Sequence, residues 1–204
     1  ISDKFGNPRH EDEDADRLQV RCINFTSSPD STGKDILFWE SVNMKTTLQI
    51  QEKFNCNIVS GIMFNHESEF RNSNFLIMKL VEKAINIENG STEIIEVPSL
   101  KIARDWTYAK EMCDAMYNLV YNDFSGSYVI GSGKSTTLEE IVQFIFKILN
   151  LEYPDYIVEN NSSLRKSEPM VVTSNPEKIY KELGWKANLN IFDIVNKMYQ
   201  YKKS

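Results

Sequence analysis

Cysteine is scarce in this sequence, and the three that occur, Cys22, Cys56 and Cys113, stand far apart with no C-x-x-C pair. That spacing excludes a disulfide framework and fits a reducing, cytoplasmic setting. Long apolar runs are missing as well. The longest, around Ile141 to Leu149 and Ile58 to Phe64, fall far short of a bilayer, so neither a membrane segment nor a signal peptide is expected. Basic residues are outnumbered, 23 Lys and Arg against 29 Asp and Glu for a net charge of −6, and they are scattered rather than striped. No surface invites a phosphodiester backbone, which argues against DNA or RNA as a partner. The sequons at Asn24, Asn89, Asn160 and Asn161 then read as chance matches to a short pattern. No methionine precedes Met44 and no tyrosine precedes Tyr108. The first absence leads to the expectation of a segment upstream of Ile1; the second bears on catalysis below.

What is present is ordinary for a globular protein: 41 % hydrophobic and 25 % charged residues over 204 positions, enough for one full core or one domain with part of another. Residues 7–34 are polar, with the acidic run Glu11-Asp12-Glu13-Asp14, and read as a solvated loop. A helical pattern follows from Lys34 to Phe54, then a β-branched strand from Ile58 to Phe64. Helices are expected over Asn74 to Ile87, Tyr108 to Tyr121, Thr137 to Asn150, Pro176 to Leu183 and Ile191 to Tyr201. Strands are expected over Glu93 to Val97, Ser127 to Ile130, Tyr156 to Val158 and Met170 to Val172. Thr137, followed by Glu139 and Glu140, has the character of an N-cap with acids in the first turn, where the helix dipole favours them. This alternation of short strands and longer helices points to an α/β fold.

The most specific local signal is Asn65-His66-Glu67-Ser68 at the end of the Ile58 strand, followed by Arg71, Asn74-Phe75 and Lys79. Arg104-Asp105-Trp106 with Ala109-Lys110 comes next, then Tyr128 to Gly133 before a helix, then Arg165, Glu168, Asn175-Pro176 and Leu183-Gly184-Trp185-Lys186. In order and spacing these segments resemble the GDP-mannose 4,6-dehydratases, a branch of the extended short-chain dehydrogenase/reductase family, over roughly Asn57 to Met198. In that family Arg-Asp-Trp opens a helix.

The resemblance implies the C-terminal part of a Rossmann-type parallel sheet with a small α/β substrate-binding domain. Residues 1–64 would complete the dinucleotide-binding domain, and 65–204 would mainly bind the sugar nucleotide, with some segments returning to the sheet. It nominates Asn65, Lys79, Arg104, Arg165 and Glu168 for a sugar nucleotide such as GDP-mannose, and His66 and Arg71 for a nicotinamide dinucleotide, NADP or NAD. The chemistry agrees, since guanidinium forks meet phosphate oxygens bidentately and ammonium groups act as point charges. It further implies a homo-oligomer, together with the chain's own N-terminal half or a partner subunit. Competing readings remain: Arg104 beside Asp105 is also the pattern of a surface ion pair, and Trp106 and Trp185 also suit packing.

Two patterns fail. Gly131-Ser132-Gly133-Lys134-Ser135-Thr136 resembles a phosphate-binding P-loop, but the Gly required five residues before Gly133 is Tyr128. The family's catalytic Tyr-x-x-x-Lys also has no counterpart. Its positions fall near Ile36 and Glu40, and a shifted alignment finds only Asp30 with Lys34. A phenol near pKa 10 needs the neighbouring Lys to act as a base at neutral pH, and Glu40 inverts that charge. The start, Ile1-Ser2-Asp3-Lys4-Phe5-Gly6, resembles the family's Thr-Ser-Glu-x-Tyr-Gly with two substitutions, and no glycine-rich dinucleotide turn occurs in the chain. Two functional classes therefore stand open: an enzyme whose catalytic groups are unusual or lie elsewhere, and an inactive relative with a binding or scaffolding role.

Overall fold

The structure, a computed structural model, describes residues 22–27, 49, 53, 58–122, 124–160 and 169–204. Its first sheet is parallel and three-stranded, in the order β1 (Cys22–Ser27), β2 (Ile58–Met63), β6 (Gly126–Ile130). Strand β2 is buried at its first four positions because it has a neighbour on either side and helix α2 (Ala109–Tyr121) packed against it. The chain leaves this sheet at Phe64, whose N–H is held by the Ile130 carbonyl, and enters a second one.

That second sheet is built around β5 (Ala103–Tyr108). Strand β3 (Asn65–Glu67) runs parallel to its C-terminal half, while β7 (Ser135–Thr137), antiparallel, and β9 (Val171–Val172), parallel, flank its N-terminal half. A third pair, β4 (Ile95–Val97) with β8 (Ile157–Glu159), is parallel. Helices α1 (Leu76–Glu88), α3 (Leu138–Ile148) and α5 (Ile191–Lys203) share the larger core, which includes Ile77, Leu80, Ile141, Phe146, Ile194 and Met198. A smaller cluster of Val59, Met112, Leu119, Tyr128, Ile130 and Ile179 joins β2 and β6 to α2 and the short α4 (Glu177–Leu183). The expected α/β fold is present.

Two expectations need correction. Part of the solvated loop expected over 7–34 is strand β1, whose Ile23 and Phe25 register with Val59 and Gly61; alternating apolar residues in a polar stretch suffice when a sheet edge is waiting. Arg104-Asp105-Trp106 is a strand and not a helix start, the helix beginning at Ala109. The two-residue strand β9 and the short β3 and β7 survive only by pairing with β5, so local pattern could not define their limits. The Thr137 cap is found as expected, with a full capping box: Glu140 N–H donates to the Thr137 hydroxyl and Thr137 N–H to the Glu140 carboxylate. Of the helix expected over 34–54, Gln49 and Lys53 are described, both helical. Arg165, Glu168, Ile36, Glu40, Asp30 and Lys34 lie outside the described residues.

Candidate functional site

Strand alternation decides which nominated residues meet. Arg104 and Trp106, two apart on β5, face one side of the second sheet; Asn65 pairs with Trp106 in the ladder and shares that side. His66 pairs with Thr107 on the opposite side. The sheet thus brings Asn65 and Arg104 to one side and turns His66 to the other, just beyond the carboxyl end of β2, the end at which open α/β sheets bind ligands.

Arg104 donates from Nη1 to the carbonyls of Ala103 and Met170, 2.9 and 3.2 Å away. Met170 directly precedes β9, and this contact and the Ala103 N–H bond to the same carbonyl place Met170 beside Arg104. The ring Nδ1 of His66 lies 3.0 Å from the Phe64 carbonyl, which can only accept. Nδ1 therefore carries a proton, and in the neutral ring Nε2 is left as an acceptor.

Arg71 follows four residues after Glu67, whose side chain is 4 % exposed; Arg71 Nε stands 3.4 Å from Glu67 Oε2. Burial pushes the Glu67 carboxyl up to about 7, against the opposing pull of the Arg71 charge. The Arg71 guanidinium carbon lies 3.4 Å from the centroid of the Phe75 ring. Lys79, exposed in the first turn of α1, comes one helical turn after Phe75.

The competing reading of Asp105 as a surface partner of Arg104 does not hold, because Asp105 is 0 % exposed and turns to the other side of β5. Its carboxylate accepts from Ser132 N–H and Oγ, from Gly133 N–H, and from Ser174 N–H and Oγ. These are the backbone amides that a P-loop would turn toward phosphate. An internal carboxylate occupies them, and β7 with the Thr137 capping box separates the turn from helix α3, which explains physically why this glycine pair is no phosphate cradle. Gly131 is required here, since a Cβ would stand 2.7 Å from Ser174 Cβ. Trp106, 8 % exposed, belongs to the larger core, and Trp185 packs against the smaller one.

Sequence reasoning did not nominate Glu67, Phe75 or Asp105 as site-shaping groups. All three lay within quoted motifs, and a buried acid at an alternating strand position is the signal that could have found Glu67. Surface cavities of about 510, 490 and 380 Å³ lie elsewhere and are lined by none of Asn65, His66, Arg71, Lys79 or Arg104. Among the described residues no group of three or more His, Cys, Asp or Glu could hold a metal ion, and no helix is long and apolar enough to cross a membrane.

Residues 41–198 match the sequence profile of the GDP-mannose 4,6 dehydratase family. Curated relatives include GDP-mannose 4,6 dehydratase 2 of Caenorhabditis elegans, 28 % identical over 190 residues that cover 85 % of this chain and 48 % of the relative. GDP-mannose 4,6 dehydratase of Homo sapiens is 32 % identical over 122 residues, 60 % of this chain and 31 % of that protein. The chain spans about half the length of the first of these relatives. Among solved structures, RMD from Pseudomonas aeruginosa complexed with NADPH aligns with a TM-score of 0.74 at 16 % identity, covering 89 % of this chain and 65 % of that one. The dTDP-glucose 4,6-dehydratase from Bacillus anthracis in complex with NAD aligns with a TM-score of 0.71 at 15 % identity, covering 91 % and 61 %. At those identities the likeness concerns the fold.

Proposed function

Since the chain belongs to the GDP-mannose 4,6-dehydratase family, we propose that it is the sugar-nucleotide-binding portion of a GDP-mannose 4,6-dehydratase-like protein. The complete protein would convert GDP-mannose to GDP-4-keto-6-deoxymannose with NADP as bound hydride carrier. The observation that carries this reading is the β3–β5 ladder, which sets Asn65 and Arg104 on one side of a small sheet at the carboxyl end of β2, with the Arg71–Lys79 segment following directly. On this reading Asn65, Lys79, Arg104, Arg165 and Glu168 hold the sugar nucleotide, and the chain divides near residue 64 into a dinucleotide-binding and a substrate-binding part.

The residues present fit one region of a nicotinamide dinucleotide. Neither Nη of Arg71 hydrogen-bonds to another described residue, and a guanidinium fork matches phosphate. His66 offers Nε2 as an acceptor for a hydroxyl or amide. When bound, the dinucleotide supplies reversible hydride transfer. The remaining groups for it would come from the chain's own N-terminal half or a partner subunit in a cytoplasmic homo-oligomer.

A second reading, an inactive relative with a binding or scaffolding role, is favoured by one observation. The family match begins at residue 41, just after Ile36 and Glu40 stand where the catalytic Tyr and Lys would align. Thermal unfolding with and without GDP-mannose tests the binding reading: at 100 times its dissociation constant the ligand adds about 2.7 kcal/mol, and an unmoved transition would sink the proposal. Incubation of the full-length protein with GDP-mannose and NADP then separates the two classes, because a keto-sugar product appears only if the protein is active.

A further inference from the structure

The Arg71 side chain is gripped on two sides. Its Nε faces the almost fully buried Glu67 carboxylate at 3.4 Å, and its guanidinium plane lies against the Phe75 ring, while the Nη ends hydrogen-bond to no described residue. Arg71 Nε and Glu67 Oε2 are both buried without a hydrogen-bond partner among the described residues, so the contact between them is electrostatic and directional only through packing. Placing a carboxylate there is costly in water-free surroundings, which shows in the raised Glu67 pKa. Removing the freedom of a long side chain is what such an arrangement achieves, because an arginine left loose would have to order itself on binding.

We infer that Glu67 is a positioning residue: with Phe75 it holds the Arg71 guanidinium so that both Nη groups project outward as a preformed fork for a phosphate of the dinucleotide. The inference rests on the reading of Arg71 given under Proposed function and deepens it, since it assigns the ligand chemistry to an anion and the preorganisation to a residue with no ligand contact of its own. Glu67 therefore acts only through Arg71.

The test uses the full-length protein with arginine side chains labelled with nitrogen-15, the Arg71 Nε–H resonance assigned by its loss in Arg71→Ala. In Glu67→Gln that resonance moves and broadens while the thermal midpoint is unchanged or higher. NADPH binding weakens about five-fold or more in Glu67→Gln and in Arg71→Ala, and the double variant binds no more weakly than Arg71→Ala alone. Glu67→Asp, which keeps the charge with a shorter reach, restores part of the affinity. An equal loss from Glu67→Gln in the Arg71→Ala background would overturn the inference, because Glu67 would then act independently. An Arg71 resonance untouched by Glu67→Gln beside normal NADPH binding would overturn the clamp alone. Absence of NADPH binding in the unaltered full-length protein would overturn the dinucleotide reading and with it the ligand assigned here.

Discussion

The Asp105 carboxylate accepts both the backbone N–H and the hydroxyl of Ser174, a residue 69 positions away. With the bonds from Ser132 and Gly133 it ties β5, the turn after β6 and the segment after β9 into one unit. That unit includes the strand that carries Arg104 and fixes the segment after β9 beside it.

Asp105→Asn should therefore act as a fold mutation with a functional consequence. An amide turns one acceptor into a donor facing N–H groups, which leaves buried donors without partners. A loss of about 3 kcal/mol is expected, or about 6–12 °C in thermal midpoint for a chain of this size. A drop of less than about 2 °C by calorimetry would mean the tie is weaker than its geometry.

Gly131→Ala probes the same junction without removing a polar group. The added methyl meets the Ser174 side chain, and the turn must open to admit it. A destabilisation of about 2 kcal/mol is expected from denaturant unfolding with an unchanged m-value.

The pH dependence of stability should carry the signature of Glu67. Its folded pKa, about 7, lies above the ordinary 4.5, so between those values the folded state binds more protons than the unfolded state. Stability attributable to this group is complete below 4.5 and is lost as pH rises through about 7. The displacement corresponds to about 3 kcal/mol at most, and Glu67→Gln should flatten the profile between pH 5 and 8. Parallel profiles for the two proteins would contradict the raised pKa.

Lys79 is exposed, so Lys79→Ala should leave the unliganded protein within about 0.5 kcal/mol of the original. If Lys79 meets the diphosphate, the same change weakens GDP-mannose binding about ten-fold, as loss of a charge-assisted bond requires. Arg104→Ala should do both: release the Met170 carbonyl and weaken the ligand. Calorimetric titration of the two variants checks the contrast, and equal affinity in Lys79→Ala would remove it from the site.

Much of the helical content was legible because it depends on local terms. Periodic apolar positions marked α1, α2, α3 and α5, and the Thr137 capping box with Glu140 is a signal contained within four residues. The Asn65–Lys79 motif was legible as a motif, yet its geometry was not. Nothing in the order of residues showed that Glu67 would be buried against Arg71, or that Phe75 would lie against the guanidinium. Arg104-Asp105-Trp106 was misjudged as a helix start because the alternation that makes it a strand becomes decisive only when β3, β7 and β9 pair with it.

The sequence by itself determined the fold class, the family, the placement of the longer helices and the absence of any tyrosine before Tyr108, since each depends on residue identity and short-range spacing. Tertiary structure alone decided that the glycines of 131–133 serve an internal carboxylate and not a phosphate, and that Asn65 and Arg104 share one side of a sheet. Those outcomes arise from pairings between segments tens of residues apart. Their free energy exists only once the sheet has formed, so no local window of sequence contains it.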